Sequence, residues 1–328
     1  MIELKGVTLL KILLRIFALS LVCVSLFSYS PIHAETYDDF KVTTHNVYFM
    51  PQSLYPNWGQ MQRADLISRA DYIQGNDVII LNELFDSEAS SKLLANLQQH
   101  YPYQTPVIGR SQEGWDRTSG AYSSVSPTNG GVGIITRFPI IQQEQHIFKN
   151  GRGADRFSNK GFAYVKINHN GRPVHVIGTH LQADGSTLSQ DKYASVRESQ
   201  MREIQTFIQN KNIPEDEMVL IGGDLNVIKD TPEYQKMLET LNVNPPTQYS
   251  GHTSTWDTAT NSIAQYNYPK LEPQYLDYIL VERDHANPPS WRNTALKTHS
   301  PEWQVKSWGK TYQYQDYSDH YPVQASTS

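Results

Sequence analysis

Six short runs of this chain end in residues able to bind a cation or move a proton. "THNVYF" carries Asn46, "LNEL" Glu83, "GTH" His180, "GGDLN" Asp224 and Asn226, "LDY" Asp277, and "SDHYPV" opens on Asp319 and His320. Side chains alternate along a strand, so Asp224 and Asn226 project to one side as long as the extended conformation persists. Read alone, "LIGGDLNV" is equally a strand followed by a turn, because Gly, Asp and Asn all favour turns. A single His in a strand is usually a satisfied packing residue, and a single acid is usually solvated. Their recurrence at the ends of apolar runs carries the weight. If the sheets bring those ends together, carboxylates, carboxamides and imidazoles meet in one place.

That inventory suits a hard divalent cation. Mg²⁺ takes oxygen ligands, keeps several waters, and binds through one or two carboxylates together with substrate phosphate. Glu83 and Asp319 are the leading carboxylate candidates, with Asn46 and Asp224 beside them. The chain has no HExxH motif and no cysteine set, so nothing supports a protease-type or structural zinc site. Two imidazoles complete a phosphoester hydrolase: one accepts a proton from the attacking water, while the other, or a metal, stabilises the departing oxygen.

The elements that must position these groups alternate along the chain. Strand-like runs rich in Val, Ile and Tyr include "KVTTHNVYF", "DVIILNEL", "GVGIIT", "FAYVKI", "VHVIGTH", "MVLIGGD", "YLDYILV" and "HYPVQA". Between some of them lie helical periodicities, "MQRADLISRADYI", "SKLLANLQQHY" and "SVRESQMREIQTFIQNK", the last with Val196, Met201, Ile204, Phe207 and Ile208 on one stripe. No repeat, low-complexity tract or linker interrupts the pattern. The polar stretch from Gly109 to Gly131 reads as one long loop. A single α/β domain accounts for the whole.

Residues 1–34 stand apart and read as an export signal. Lys5, Lys11 and Arg15 precede an apolar run from Ile16 to Phe27, and "PIHA" ends in the small residue expected before a cleavage site. The run is shorter than the roughly 20 residues a membrane span requires. Residues 35–328 then form the single catalytic domain, long enough for a large core. The one cysteine, Cys23, lies in the leader, so the exported chain is expected to hold together without disulfides. The chain carries a net charge of −5; the leader's three basic residues against Glu3 contribute +2, which leaves −7 for the rest. Such a balance argues against diffuse attraction to a nucleic-acid backbone and towards a neutral, zwitterionic or metal-bridged substrate.

"GGDLN" together with "SDHYPV" resembles the endonuclease/exonuclease/phosphatase superfamily, and "THNVY", "NELFD", "GTHLQ" and "YLDYI" occur in the order that superfamily expects. The resemblance implies a deoxyribonuclease-I-like α/β fold, a sandwich of two mixed β-sheets flanked by helices with the site at one rim. "SLYPNWGQ", "SNKGF", "HVIGTHLQA", "ASVRESQ", "YSGHTSTWD" and "YSDHYPV" are similar to the secreted bacterial neutral sphingomyelinases, from about Tyr37 to the C-terminus. That closer resemblance implies Mg²⁺-dependent hydrolysis of sphingomyelin to ceramide and phosphocholine, with Mn²⁺ or Co²⁺ as substitutes. Glu83 would be the principal metal ligand, with Asn46, Asp224, Asn226, Asp319 and His320 around the metal and phosphate. His320 would be the general base, oriented by Asp277. His180 would stabilise the transition state or assist the leaving oxygen, partnered by Asp155.

The resemblance also implies peripheral contact with sphingomyelin in host membranes; no nucleic acid and no obligate protein partner are expected, and a monomer is the expected state. The aromatic-rich C-terminal segment suits an interface, with Tyr312 and Tyr314 as strand residues and Trp308 at a hairpin tip. Some relatives carry two adjacent aromatics there, whereas Gly309 follows Trp308, which implies weaker insertion; Arg152 stands where some carry a cysteine. Trp58, Tyr55, Trp256 and Tyr317 are candidates for facing the choline.

Overall fold

The computed structural model describes residues 37, 39–186 and 189–328. The leader expected over residues 1–34 lies outside the described residues. From residue 39 onward the chain builds two mixed sheets. The first runs, edge to edge, β11 (Gln248–Gly251), β13 (Arg292–Ala295), β16 (Val323–Ser326), β1 (Lys41–Asn46), β2 (Val78–Asn82), β5 (Gly133–Thr136) and β3 (Tyr103–Gln104). The second runs β10 (Val243–Asn244), β12 (Asp277–Glu282), β9 (Met218–Asp224), β8 (Arg172–His180), β7 (Gly161–His169), β6 (Ile140–Ile147) and β4 (Arg117–Gly120). A separate hairpin, β14 (Trp303–Ser307) and β15 (Lys310–Tyr314), stands off both.

Strand parity explains the layering. On β9, Val219 and Ile221 point to a helical layer, while Leu220 and Gly222 point to the other sheet. On β2, Ile79 and Leu81 face helices and Ile80 faces β9. A Cβ on Gly222 would lie 3.0 Å from Ile80 Cδ1, and one on Gly178 would lie 2.9 Å from Ile80 Cγ2. These two glycines therefore let the sheets close on Ile80, whose full burial contributes roughly 1.5–3 kcal/mol. The double glycine of "LIGGD" serves packing: at Gly223, with φ +139°, a Cβ would overlap the Thr179 carbonyl oxygen at 1.8 Å.

Helices cover the outer faces. α1 (Gln60–Ser68) and α2 (Ser87–Leu97) pack Ala64, Ile67, Ala89, Leu93 and Leu97 onto the first sheet. Asp86 caps α2 by accepting from Ala89 N–H at 2.9 Å. α3 (Gln190–Lys211) sets Met201, Ile204 and Ile208 against the second sheet, next to α4 (Pro232–Thr240), which Thr231 caps. α5 (Ser262–Asn267) lies beside the hairpin, its Ile263 packed with Trp58, Trp303, Tyr312 and Tyr314. No helix among the described residues is long and apolar enough to cross a membrane.

The stretch from Gly109 to Gly131 is not one uninterrupted loop. Arg117–Gly120 pairs parallel to β6 as an edge strand. Its sequence, "RTSG", carries no apolar alternation because an edge strand lying half in solvent needs none.

Candidate active site at the sheet rim

The predicted residues fall at one rim because the central strands end there together. Asn46 ends β1, Glu83 follows β2, His180 ends β8, Asp224 ends β9, Asp277 begins β12 and His320 precedes β16. Asn46 pairs in register with Asn82, His180 with Asp224, and Asp224 with Asp277. By parity His180 shares the face of Gly178, and Asp224 that of Gly222, so both point into the gap between the sheets.

Asn46 bridges two acids, donating from Nδ2 to Glu83 Oε1 and to Asp224 Oδ2, each at 3.0 Å. Asp224 Oδ2 lies between two imidazoles, 3.5 Å from His180 Nε2 and 3.6 Å from His320 Nε2. His320 Nδ1–H donates to Asp277 Oδ2 at 2.8 Å, and Thr255 Oγ1–H donates to the same oxygen at 2.5 Å. Behind His320, the ring of His45 holds its carbonyl at 2.9 Å while Tyr72 hydroxyl bonds the other nitrogen. Burial lowers His45 to about 4, so it serves as a neutral support.

Among the described residues, three buried atoms at this rim have no protein partner: Glu83 Oε2, His180 Nδ1 and Asp277 Oδ1. Leaving such groups unpaired costs about 1–3 kcal/mol each, which marks the rim as built for something more than folding. Burial and the nearby Asp319 push the Glu83 carboxyl up, and burial with Asp277 does the same to Asp224. Burial, helped by Lys160 and His320, holds His180 well below its usual range. Burial opposes charge on His320 as well, but Asp277, Asp224 and Asp319 outweigh it and raise the ring well above its usual value. Crowded acids that resist ionisation are the electrostatic imprint of a cation site. Ligand atoms of Glu83, His180 and Asp224 lie within 4.8 Å of one another, as do those of Asp224, Asp277 and His320.

The chain is similar to known proteins over most of its length. The family model described as "Endonuclease/Exonuclease/phosphatase family" matches residues 46–320. Sphingomyelinase C of Listeria ivanovii is 58% identical over 285 residues, covering 87% of this chain and 85% of the relative. The chain belongs to the endonuclease/exonuclease/phosphatase family, in its sphingomyelinase C group. Sphingomyelinase C of Bacillus cereus is 54% identical over 314 residues, covering 92% of this chain and 94% of the relative. Among solved structures, a Staphylococcus aureus beta toxin variant with bound magnesium ions superposes with a TM-score of 0.87 at 52% identity, covering 88% of this chain and all of the other.

Other residues of this family member sit further out. Asp319 is buried near Glu83 and raises it, yet it belongs to neither group of converging ligand atoms. Asn226 does not share a side with Asp224 as an unbroken strand would require. The strand ends at Asp224, and Asn226 turns with φ +51°, its amide donating to Leu181 O at 3.0 Å. Asp155 makes no hydrogen bond to His180; its Oδ2 accepts from Lys160 Nζ at 2.9 Å and Ala183 N–H at 3.1 Å. Lys160 also holds Leu181 O at 3.0 Å, so Asp155 anchors the strand end that carries His180.

The aromatic candidates divide by exposure. Trp308 stands at the hairpin tip, 64% exposed, with φ +51° followed by Gly309 at +69°, the paired positive angles of a two-residue hairpin turn. Trp58 is 2% exposed and cannot meet lipid; its ring packs on Tyr48 and Tyr314 and supports the hairpin. Trp256 is buried as well, and Tyr317 is half-buried with its ring against Tyr72. Tyr55 remains partly exposed.

Sequence reasoning missed Arg63. Wholly buried, it donates to the carbonyls of Trp58, Val47, Tyr48 and Tyr317 and so clamps both segments that flank the site. A lone Arg in a helical stripe reads as surface, and nothing in the sequence signals otherwise. Lys160 and His45 escaped as well, because each acts on a backbone carbonyl that no side-chain pattern encodes. Gly59 had a signal, sitting in "YPNWGQ": a Cβ there would lie 2.6 Å from the Trp303 ring.

Proposed function

We propose that the chain is a secreted, single-domain, Mg²⁺-dependent phosphodiesterase that hydrolyses sphingomyelin to ceramide and phosphocholine. One observation carries the reaction: two imidazoles flank a single carboxylate oxygen, His320 at 3.6 Å and His180 at 3.5 Å from Asp224 Oδ2. In-line displacement at phosphorus needs a proton acceptor on one side and a stabiliser of the leaving oxygen on the other. The similarity to sphingomyelinases C across almost the whole chain supports the substrate.

Glu83, Asn46 and Asp224 would hold the cation, and the unpartnered Glu83 Oε2 is the atom best suited to it. When bound there, Mg²⁺ would supply positive charge to offset the negative charge that develops on the phosphate. Asp277 fixes the His320 ring through Nδ1; a bound cation would offset the acids that otherwise hold the ring's proton, freeing Nε2 to accept one from the attacking water. Burial keeps His180 neutral, so its ring can hydrogen-bond the ceramide oxygen as the P–O bond breaks. Export is supported by the composition of residues 1–34, and contact with host membranes by the exposed Trp308.

The test measures phosphocholine release from vesicles of sphingomyelin, phosphatidylcholine or lysophosphatidylcholine, with Mg²⁺ and with chelator, beside a DNA substrate. Metal-dependent release from sphingomyelin is expected. Its absence, or preferential cleavage of DNA, would overturn the proposal.

A further inference from the structure

Trp308 is not the only apolar side chain thrust into solvent at this rim. Val125 is 87% exposed and Phe157 54% exposed. They sit on two connections, residues 121–132 before β5 and residues 148–160 before β7. The connections are tied into one platform. Ser126 Oγ–H and Thr128 N–H both donate to Phe157 O, at 3.1 and 3.3 Å, and Asn159 N–H donates to Thr128 O at 3.0 Å. The buried Asn159 amide donates to Ser123 O and Gly109 O while accepting from Ser123 N–H. Two exposed apolar residues on rigidly stapled loops cost solvation with no gain in folding.

Strand order places the platform. Across the first sheet the site runs from β16 (His320) through β1 (Asn46) to β2 (Glu83), and the next strand is β5. Across the second it runs from β12 (Asp277) through β9 (Asp224) to β8 (His180), and the next strand is β7. The ends of the strands joined by these connections lie at the site's rim: Gly133 pairs with Leu81, and Phe162 with Thr179. The hairpin is inserted between β13 and β16, where Ala295 pairs with Val323, beyond the opposite end of the row. Hairpin and platform therefore bracket the site, Trp308 on the His320 side and Val125 with Phe157 on the Glu83 and His180 side.

Charge identifies the occupant. Exposed Lys149, Arg152 and Arg156 lie on the platform of a chain whose net charge is −5, and the Arg156 guanidinium lies 5.1 Å from the Phe157 ring centroid. Apolar tips ringed by basic side chains match the boundary between acyl chains and headgroup phosphates. We propose that this platform is a second membrane-contact point that docks on the phosphocholine headgroup layer of a zwitterionic bilayer. With Trp308 it would hold the rim flat on the lipid. The idea rests on the lipid-hydrolase reading of the site, and its test separates the two.

Because Cys23 is the only cysteine, a Cys23→Ser chain accepts a single environment-sensitive label. Label is placed by Val125→Cys, by Phe157→Cys, or, as a control, by Ile141→Cys, an exposed position at the far end of β6. Sphingomyelin–phosphatidylcholine vesicles are added in chelator, so that no turnover is required. Emission at 125 and 157 is expected to shift to the blue and to be quenched by headgroup-region nitroxide lipids, while 141 stays unchanged. In unlabelled protein, Val125→Asp with Phe157→Asp should weaken vesicle binding roughly tenfold and leave cleavage of a soluble sphingomyelin analogue unaltered. Positions 125 and 157 behaving like 141, or undiminished vesicle binding by the double variant, would overturn the second contact. Failure to cleave the soluble analogue by the parent protein would instead sink the function proposed above.

Discussion

Two regions of this molecule hold a histidine between a carboxylate and another polar group, and they differ in one decisive way. On the outer face of the second sheet, Ser119 Oγ bonds His146 Nδ1 at 2.9 Å and His146 Nε2 bonds Glu203 at 2.7 Å. They line a cavity of about 570 Å³, the kind of space in which a site is usually sought. Yet this array is complete: both ring nitrogens are used, Lys149 N–H takes the second Glu203 oxygen at 3.2 Å, and the ring stacks on Phe162 at 4.9 Å. At the rim the corresponding groups are deeply buried and left short of partners. Unmet bonding capacity, more than cavity size or the presence of a serine, histidine and acid, separates a site from a brace.

The largest effect should come from removing the base. His320→Ala is expected to lower kcat for sphingomyelin by about 10²–10⁴ while vesicle binding and fold are retained. Circular dichroism and vesicle co-sedimentation beside the rate measurement would check this. Full activity in that variant would erase the contrast on which the assignment stands.

A second effect concerns protons and metal. In the metal-free site Glu83 is raised from 4.5 to about 8 and His320 is raised well above 6.5. Both groups bind more protons in the folded than in the unfolded state, so the metal-free fold loses stability as pH climbs from the unfolded values through the folded ones. A divalent cation competes with those protons. Mg²⁺ affinity should therefore rise with pH between about 5 and 8, with protons released on binding. Calorimetry in two buffers of different ionisation enthalpy measures the release.

Much of the rim was legible because its residues are chemically distinctive and sit where apolar runs stop. Parity then did the rest for His180, Asp224 and Asp277, which lie in regular strands. It failed at Asn226, where the strand ended two residues earlier than the pattern required and the backbone turned left-handed. Residues acting through backbone were invisible: Arg63 binds four carbonyls, and no sequence pattern encodes a carbonyl's position. Edge strands such as "RTSG" and "QYSG" were missed because their pairing is supplied by a partner's backbone while their side chains stay polar. Trp58 was misplaced because sequence shows that an aromatic is available but not which side of it is already covered.

The smallest effect is the sharpest check on the contrast. Ser119→Ala removes the hydroxyl that bonds His146 while His146, Glu203 and the Lys149 amide keep their mutual bonds. If the array is a brace between β4, β6 and α3, the loss is one hydrogen bond at a half-buried site, about 0.5–1.5 kcal/mol. That would appear as a small fall in the urea midpoint at unchanged slope. Because the site residues stand on other strands, sphingomyelin turnover should stay within about twofold of the parent, sites without shared partners acting independently. A drop in turnover comparable to that of His320→Ala, with no loss of stability, would mean that a fully bonded array can be catalytic here and that unmet bonding capacity is not the discriminating property.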